Sequence, residues 1–353
     1  MKAMLWSAMD RRSVVCWLAI WLSAMLTYDY YSRIEDPFMD ARMTLHHEIV
    51  SGTAPYQYRY RILIPTAAEG LARVFQRAPM VSYRPIVPPL AYSKRAFVLA
   101  YGTLNFAALA FLFWSVGELV AQLFSSELSW LAVALSAILV SFTFRNHYYH
   151  PWSFWEGALY GVGLLLIHQR RLWLFAGLSL VGLTNRETSV FLILILFATA
   201  FPDYRSREMR FAIGTFAAWV AGFFLLHSFV GYRPSTFFLE TALAGNRENA
   251  WFALLLNGLM VGIVSPLILR GMATGPRLIR RAALVLPLYF ALLLVIGYWW
   301  EIRYWITAIP IVVPALIAAA LQTRHPASVP ADDERADVAR TRSSAARHDS
   351  ANR

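Results

Sequence analysis

The sequence predicts an all-α membrane protein, a polytopic transmembrane helical bundle of about ten spans. Of its 353 residues, 58% are hydrophobic and only 15% are charged, whereas soluble domains carry about 25% charged residues. The charged residues fall in short clusters between apolar runs, as expected when each run crosses a hydrocarbon core roughly 30 Å thick. Much of the net charge of +11 lies beside these runs. Because arginines there meet lipid headgroups, membrane lipids are predicted partners and nucleic acid is not.

Ten apolar runs are the predicted spans. Several are shorter than the ~20 residues that a straight span needs, which predicts tilted or interrupted helices. The runs cover residues 13–28, 96–115, 129–145, 154–168, 172–184, 188–201, 211–230, 251–269, 282–298 and 304–321.

The runs 172–184 and 188–201 decide the orientation of every later span. Arginines at 170–171 precede the pair and arginines at 205–210 follow it, so the positive-inside rule places both ends in the cytoplasm and requires a hairpin. Ten spans then place both termini in the cytoplasm and a first external loop at about residues 29–95. The transmembrane domain ends at residue 321. Residues 322–353 lose their apolar side chains, which predicts a disordered cytoplasmic tail.

This topology gathers charged residues from several loops on the external face. Charged groups near a membrane surface are costly unless they are paired or functional, so their convergence indicates a site. An alternative left open is that Arg186 with Glu187, Arg247 with Glu248, and Glu301 with Arg303 are ion pairs that only tie loops together. The candidate site residues are Asp40, Arg59, Arg61, His147, His150, Glu156, Arg186, Glu187, Arg247, Glu301 and Arg303.

A surface helix is predicted within the first external loop. Pro37 falls in its first turn and Gly52 lies just beyond its end, which are typical start and stop signals. Asp40 lies near the amino end, where its negative charge is stabilised. The side chains predicted to face lipid are Met39, Met43, Ile49 and Val50, and those predicted to face water or a cleft are Asp40, His47 and Glu48.

Arg59 and Arg61 follow this helix in the segment PYQYRYRILIP. If the segment is extended, both arginines share one face and the tyrosines share the other. That arrangement predicts a paired guanidinium clamp suited to a phosphate. An aromatic belt with interfacial arginines is the alternative, and for the tyrosines alone it is the preferred interpretation.

Four features together resemble the GT-C superfamily of glycosyltransferases, which use polyprenyl-phosphate sugars. They are an initial span, an Asp-bearing first external loop that ends in G-x-x-P-Y-x-Y-R-x-R, a later external NRET, and a late WWEIRY. The resemblance covers about residues 10–321 as a layout. It implies a bacterial inner-membrane enzyme with a periplasmic active face. Such an enzyme moves a sugar from a polyprenyl-phosphate carrier to a glycan or lipid acceptor, with inversion.

The resemblance also implies roles for the candidate residues. Asp40 would be the catalytic aspartate and take the proton of the acceptor hydroxyl, with Asp29 as the weaker candidate. The arginines at 59, 61, 186, 247 and 303 would stabilise the departing phosphate. Glu187 and Glu301 would orient those arginines or bind sugar hydroxyls, with His147, His150 and Glu156 in support. The resemblance does not fix a cofactor, and a divalent metal held with the help of the two histidines stays an open alternative.

Other functions remain open from the sequence. A transporter or flippase for a lipid-linked or anionic substrate also places arginines near a cleft, but it should show ionisable residues near the midplane and repeated halves. An O-antigen polymerase or ligase shares the chemistry but relies on a large late external loop, whereas the largest loop here is the first. A structural membrane subunit is the third alternative.

Overall fold

The described part of the chain is helical, and no β-strand occurs among its residues. The computed structural model describes residues 11–35, 39–77, 92–144, 150, 152–231, 244, 246–248, 250–296 and 301–324. The α-helices are α1 (Arg11–Glu35), α2 (Met39–Val50), α3 (Tyr56–Arg59), α4 (Leu63–Arg77), α5 (Tyr92–Leu123), α6 (Ser129–Phe142), α7 (Ser153–His168), α8 (Leu172–Asn185), α9 (Val190–Ala200), α10 (Arg207–Val230), α11 (Ala250–Thr274), α12 (Arg277–Ala283), α13 (Leu286–Ile296) and α14 (Ile309–Arg324). Shorter 3-10 turns form at Ser126–Leu128, Glu187–Ser189 and Ile302–Thr307.

The predicted apolar runs all coincide with helices. Within the described part of the chain, three helical segments are long and apolar enough to cross a membrane, by length and composition: Val14–Arg33, Arg95–Leu123 and Arg207–Val230. Of the other runs, 251–269 lies within the 25-residue helix α11, 282–298 is divided between α12 and α13, and the rest form shorter helices. Helix α14 continues to Arg324, three residues past the predicted end of the transmembrane domain at residue 321, and residues 325–353 lie outside the described part.

Large apolar side chains cover the outer surface of the bundle. Leu18, Met25 and Leu26 of α1 are each about 60% exposed, and Phe229 of α10 is 82% exposed. Soluble monomers rarely expose continuous apolar surface of this kind, which is typical of contact with a membrane or another protein. The apolar composition therefore faces outward as well as into the core.

Two buried apolar clusters hold the helices together. The first joins α7, α9 and α12 through residues such as Leu164, Leu192 and Ile279. The second joins α1, α5 and α6 through residues such as Ile20 and Leu109. Helix α14 contributes to both clusters, so it links the two halves of the bundle.

The predicted surface helix is α2, but its apolar residues face the protein rather than lipid. The helix begins at Met39, and Gly52 follows its end with φ of +72°. Met43 and Ile49 are buried against α4 and α5, whereas Val50 is exposed. The prediction of a lipid-facing stripe is therefore wrong for Met43 and Ile49. Helix α4 explains this, because its own apolar stripe, which the sequence analysis did not predict, covers that side of α2.

The chain reverses between α8 and α9, as the hairpin prediction required. At one end of the pair, Asn185 donates to the backbone oxygen of Trp152 at 3.2 Å. At the other end, Trp173 of α8 and Phe197 of α9 both pack on the first half of α10, against Phe211 and Phe216 respectively. The segment 185–189 therefore lies at the opposite end of the bundle from the arginines at 170–171 and 205–210.

Candidate functional site

Three buried arginines meet at the end of the bundle where α8 turns into α9. Arg61 lies between α3 and α4, Arg186 lies in the break between α8 and α9, and Arg303 lies in the 3-10 turn before α14. Their exposed fractions are 9%, 5% and 3%. We call these three residues the arginine cluster. Like charges held this close in a buried site require compensation by carboxylates or by a bound anion.

Arg186 is compensated by a glutamate on another helix. Its Nη1 donates to Oε2 of Glu156 at 2.7 Å, and both side chains are buried. Thr188 donates to the other carboxylate oxygen of Glu156. The Cζ atom of Arg186 lies 4.9 Å from the ring centroid of Tyr304. The ion pair and the ring contact therefore hold the guanidinium of Arg186 in one orientation. Its carboxylate partner is Glu156 rather than the neighbouring Glu187.

Arg303 is compensated by Glu301 in the same turn. Its Nη2 donates to Glu301 Oε2 at 2.6 Å and to the Tyr304 hydroxyl at 3.3 Å, and its Nη1 donates to Ser153 at 3.4 Å. Its Cζ lies 4.6 Å from the same Tyr304 ring that Arg186 approaches. Tyr304 thus packs against two guanidinium groups. The pair Glu301–Arg303 matches the ion-pair alternative in the sequence, but it also lies within the cluster.

Arg61 differs from the other two arginines because it forms no ion pair with a carboxylate among the described residues and leaves two guanidinium nitrogens without a protein acceptor, whereas Arg303 leaves one, its Nε. The Nε and Nη1 of Arg61 are buried without a hydrogen-bond acceptor among the described residues. The Cζ atom lies 5.0 Å from the ring of Trp152 and 5.5 Å from that of Tyr58. Burial lowers the pKa of Arg61, and the positive charges of Arg186 and Arg303 lower it further. Arg61 therefore holds two unused donors in a positively charged site.

His150 is the neutral member of the site. Burial and the charge of Arg303 lower its pKa to about 3, so the imidazole is uncharged at neutral pH. Its Nε2 lies 3.5 Å from Oε1 of Glu301. Burial by itself would raise the pKa of Glu301, but Arg303 and the contact with His150 hold it below its ordinary value. The cluster therefore contains an ionised carboxylate beside a neutral imidazole.

The balance of charge in the site is positive. Three buried guanidinium groups face two buried carboxylates, Glu156 and Glu301. Glu187 is only partly buried, and its charge raises the pKa of Arg61 while burial and the arginines lower it. A buried cluster with excess positive charge and unused guanidinium donors is suited to an anion with several oxygen acceptors, such as a phosphate.

Comparisons with protein-family models, with curated proteins and with solved structures find no match to this chain. Among the described residues, no group of three or more His, Cys, Asp or Glu side chains could hold a metal ion. His147, half of the predicted histidine pair, lies outside the described residues.

The prediction that Arg59 and Arg61 share one face of an extended segment is wrong. Tyr56–Arg59 form a helical turn that begins after Pro55. The backbone oxygen of Pro55 accepts hydrogen bonds from the backbone N–H groups of Tyr58 and Arg59. The turn separates the directions of the two arginines. Arg59 is partly buried, and its Nε is buried without a protein acceptor among the described residues.

The remaining predicted residues lie in more open places. Asp40 is exposed on the first turn of α2, where its backbone oxygen accepts from Thr44 at 3.1 Å. Arg247 and Glu248 are both exposed. Helix α2 nevertheless shares a buried apolar cluster with Trp152, against which Arg61 packs. The helix that contains Asp40 therefore packs in the same buried apolar cluster that Arg61 contacts through Trp152.

Several residues of the site were not singled out from the sequence. Tyr304 lies inside the motif WWEIRY and Trp152 follows His150 in the sequence HYYHPW at 147–152, and aromatic residues in such segments are also typical of a membrane belt. Thr188 is the last residue of NRET, and Ser153 begins α7. A hydroxyl or ring that serves a distant arginine leaves no local pattern, because its partner is far away in the chain.

Proposed function

We propose that the chain is a multi-spanning membrane glycosyltransferase that moves a sugar from a polyprenyl-phosphate carrier to an extracytoplasmic glycan or lipid acceptor, with inversion. The observation that carries the proposal is the buried guanidinium of Arg61, whose Nε and Nη1 have no protein acceptor among the described residues. Arg186 and Arg303 lie close enough to depress its pKa. In this proposal, the phosphate of the lipid-linked sugar accepts hydrogen bonds from the guanidinium of Arg61.

A bound phosphate would satisfy the buried guanidinium donors of Arg61. Leaving a buried donor unsatisfied costs about 1–3 kcal/mol, and more for a charged group. A phosphate supplies several oxygens in the geometry that a guanidinium matches with two parallel hydrogen bonds. Arg186 and Arg303 keep their ion pairs with glutamates, and their positive charges stabilise the negative charge that grows on the leaving phosphate.

The membrane placement rests on the helices and their outer surface. Three helices have the length and composition of spans, shorter apolar helices pack among them, and large apolar side chains face outward. In the proposed topology all ten apolar runs cross the bilayer, some of them as short or paired helices. The arginine cluster then lies at the external surface and both termini lie in the cytoplasm.

The proposed reaction is a displacement at the anomeric carbon of the sugar. The acceptor hydroxyl oxygen forms the new bond to that carbon while the bond to the phosphate oxygen breaks, and the phosphate leaves with the electron pair. The proton of the hydroxyl passes to a carboxylate, for which we propose Asp40 on the first turn of α2. The leaving group needs no separate acid, because phosphate is stable as an anion.

The experiment compares cells that express the wild-type protein, Arg61→Gln and Arg247→Gln at equal levels. Lipid-linked sugars are measured by mass spectrometry of lipid extracts, and surface glycans are measured in parallel. The proposal predicts donor accumulation and loss of product for Arg61→Gln. Arg247→Gln, which changes an exposed arginine outside the buried cluster, should retain clearly more product. Unchanged lipids and glycans in the Arg61 variant would refute the proposed function.

A transporter or flippase is the second candidate, and one observation favours it. Pro266 lies inside α11 and Pro314 lies inside α14, and prolines in helix interiors are typical of the broken helices of transporters. The arginine cluster argues against this function, because it lies at helix ends rather than at their middles. Transport of a lipid-linked sugar into proteoliposomes without formation of a glycosidic product would favour the transporter.

A further inference from the structure

An open apolar groove lies between the end of α9 and the start of α10. Its volume is about 490 Å³, within the roughly 300–1,000 Å³ of ligand pockets. The residues that line it are Phe197, Ala198, Phe201, Tyr204, Met209 and Ile213. The lining surface is almost wholly apolar, so the groove suits a hydrocarbon chain and not a sugar or a nucleotide.

The groove and the arginine cluster lie at opposite ends of the bundle. Helix α10 begins at Arg207, beside the groove, and near its other end His227 stacks on Tyr60 with ring centroids 3.7 Å apart. Tyr60 is the neighbour of Arg61. The roughly twenty residues between Arg207 and His227 span about 30 Å of helix, so a phosphate bound at Arg61 cannot also lie at the groove.

Two exposed arginines lie close in the chain to residues that line the groove. Arg205 follows the lining residue Tyr204, and Arg210 precedes the lining residue Ile213 by one helical turn; both arginines are exposed. Arg207 lies on the other side of α10, where its Cζ is 5.9 Å from the Phe211 ring. Positive charge therefore lies near the apolar floor of the groove.

The acidic residues nearby compensate these arginines only in part. Asp203 accepts from the backbone N–H of Arg205 at 3.1 Å. Glu208 lies 3.8 Å from Nη1 of Arg170, which belongs to the adjoining loop. Even without Arg207, the three arginines Arg170, Arg205 and Arg210 outnumber these two carboxylates. An occupant of the groove is therefore expected to carry a negative group next to its apolar part.

We infer that this groove binds an anionic glycerophospholipid of the leaflet opposite to the arginine cluster. One acyl chain lies along Phe197, Phe201 and Ile213, and the phosphate lies between Arg205 and Arg210. Basic residues beside apolar grooves between helices recognise anionic headgroups in this way. The inference rests on the membrane placement in the proposed function but does not depend on sugar transfer.

The test uses the full chain in detergent with equal amounts of dioleoyl-phosphatidylglycerol and dioleoyl-phosphatidylcholine, and native mass spectrometry measures which lipid stays bound. The wild type should retain phosphatidylglycerol preferentially. Arg205→Gln with Arg210→Gln should lose that preference, by about fivefold for each arginine. Arg207→Gln is the matched control on the other side of α10 and should keep it. Ala198→Trp, which fills the groove, should lower the retention of both lipids.

Three results would overturn the inference. The wild type could retain both lipids equally, or Arg207→Gln could lose the preference as strongly as the double variant. Ala198→Trp could instead change the oligomeric state and leave lipid retention intact, which would make the groove an interface between copies. Sugar transfer by the double variant is measured separately and should persist, so a failed lipid test and a failed transferase test are distinguishable.

Discussion

The guanidinium of Arg186 donates to the carboxylate of Glu156 at 2.7 Å and joins the start of α7 to the break between α8 and α9. Both side chains are buried, and Thr188 donates to the same carboxylate. The pair fixes the position of Arg186 beside Tyr304. The reversal of the chain at α8–α9 and the arginine cluster are therefore stabilised by the same ion pair.

Removal of one partner of this pair should strongly destabilise the protein. Glu156→Gln leaves the Arg186 charge buried without its partner, and such changes cost about 3–5 kcal/mol. The measurement is the free energy of unfolding in detergent. Arg73→Gln is the control, because it removes an exposed ion pair with Glu69, and surface pairs contribute about 0–1 kcal/mol. Equal losses for the two variants would contradict a structural role for the buried pair.

The stability should fall in acid because of His150 and Glu301. The pKa of His150 falls from 6.5 to about 3 in the folded protein, so between these values the unfolded chain binds the extra proton and acidification favours unfolding. Glu301 acts in the same direction below its ordinary value of 4.5, since its folded pKa is lowered.

The thermal unfolding midpoint, measured from pH 7 to pH 4.5, reports this effect. The wild type should lose stability steadily as the pH falls below 6.5, and His150→Gln should flatten the dependence because glutamine does not titrate. A wild-type midpoint that is constant over this range, or an unchanged slope in the variant, would show that His150 is not held neutral by the fold.

His46 should anchor α2 to the rest of the bundle. Its Nδ1 lies 2.8 Å from the Tyr101 hydroxyl of α5 and its Nε2 lies 3.2 Å from Glu69 of α4. His46→Ala leaves buried polar groups without partners, at about 1–3 kcal/mol. Hydrogen exchange of the α2 amides should become faster. His47→Ala changes the exposed neighbour and should not do so; equally fast exchange in both variants would rule out the anchor.

Gly271 should be essential for the contact between α11 and α14. A Cβ atom at this position would collide with the backbone oxygen of Ala315, which cannot move aside as a flexible side chain could. Gly271→Ala should therefore lower the unfolding midpoint. A Cβ atom at Gly262 in the same helix meets nothing within 4 Å. The free energy of unfolding of Gly262→Ala should therefore lie within about 1 kcal/mol of that of the wild type, with a similar midpoint. Similar midpoints for the two variants would mean that the helices can separate there without loss.

The helices could be predicted from the sequence because membrane-length apolar runs carry a strong local signal. The stop signal at Gly52 predicted the end of α2, and the flanking arginines predicted the reversal near Arg186, whereas Pro37 in the predicted first turn of α2 lies outside the described residues. Helix α4 also carried a local signal, since Ile64, Ala68 and Ala72 recur at helical spacing, but it was not recognised.

The pairing inside the site could not be predicted because it joins distant segments. Glu156 and Arg186 are 30 residues apart and Arg303 and Ser153 are 150 apart. The sequence therefore placed five arginines in one group, with Arg186 beside Glu187. The structure distinguishes them: Arg186 and Arg303 have carboxylate partners, Arg247 is exposed, and Arg61 retains unused donors.

The binding of undecaprenyl phosphate to the purified protein in nanodiscs tests the role of Arg61 most directly. The net loss of about one charge-assisted hydrogen bond, worth about 1.5–3 kcal/mol, should weaken binding roughly ten- to hundredfold in Arg61→Gln. Arg61→Lys should fall between this variant and the wild type, because it keeps the charge without the paired donors. Arg247→Gln should bind as the wild type does. Equal affinity for the wild type and a folded Arg61→Gln would contradict the assignment of the phosphate to Arg61.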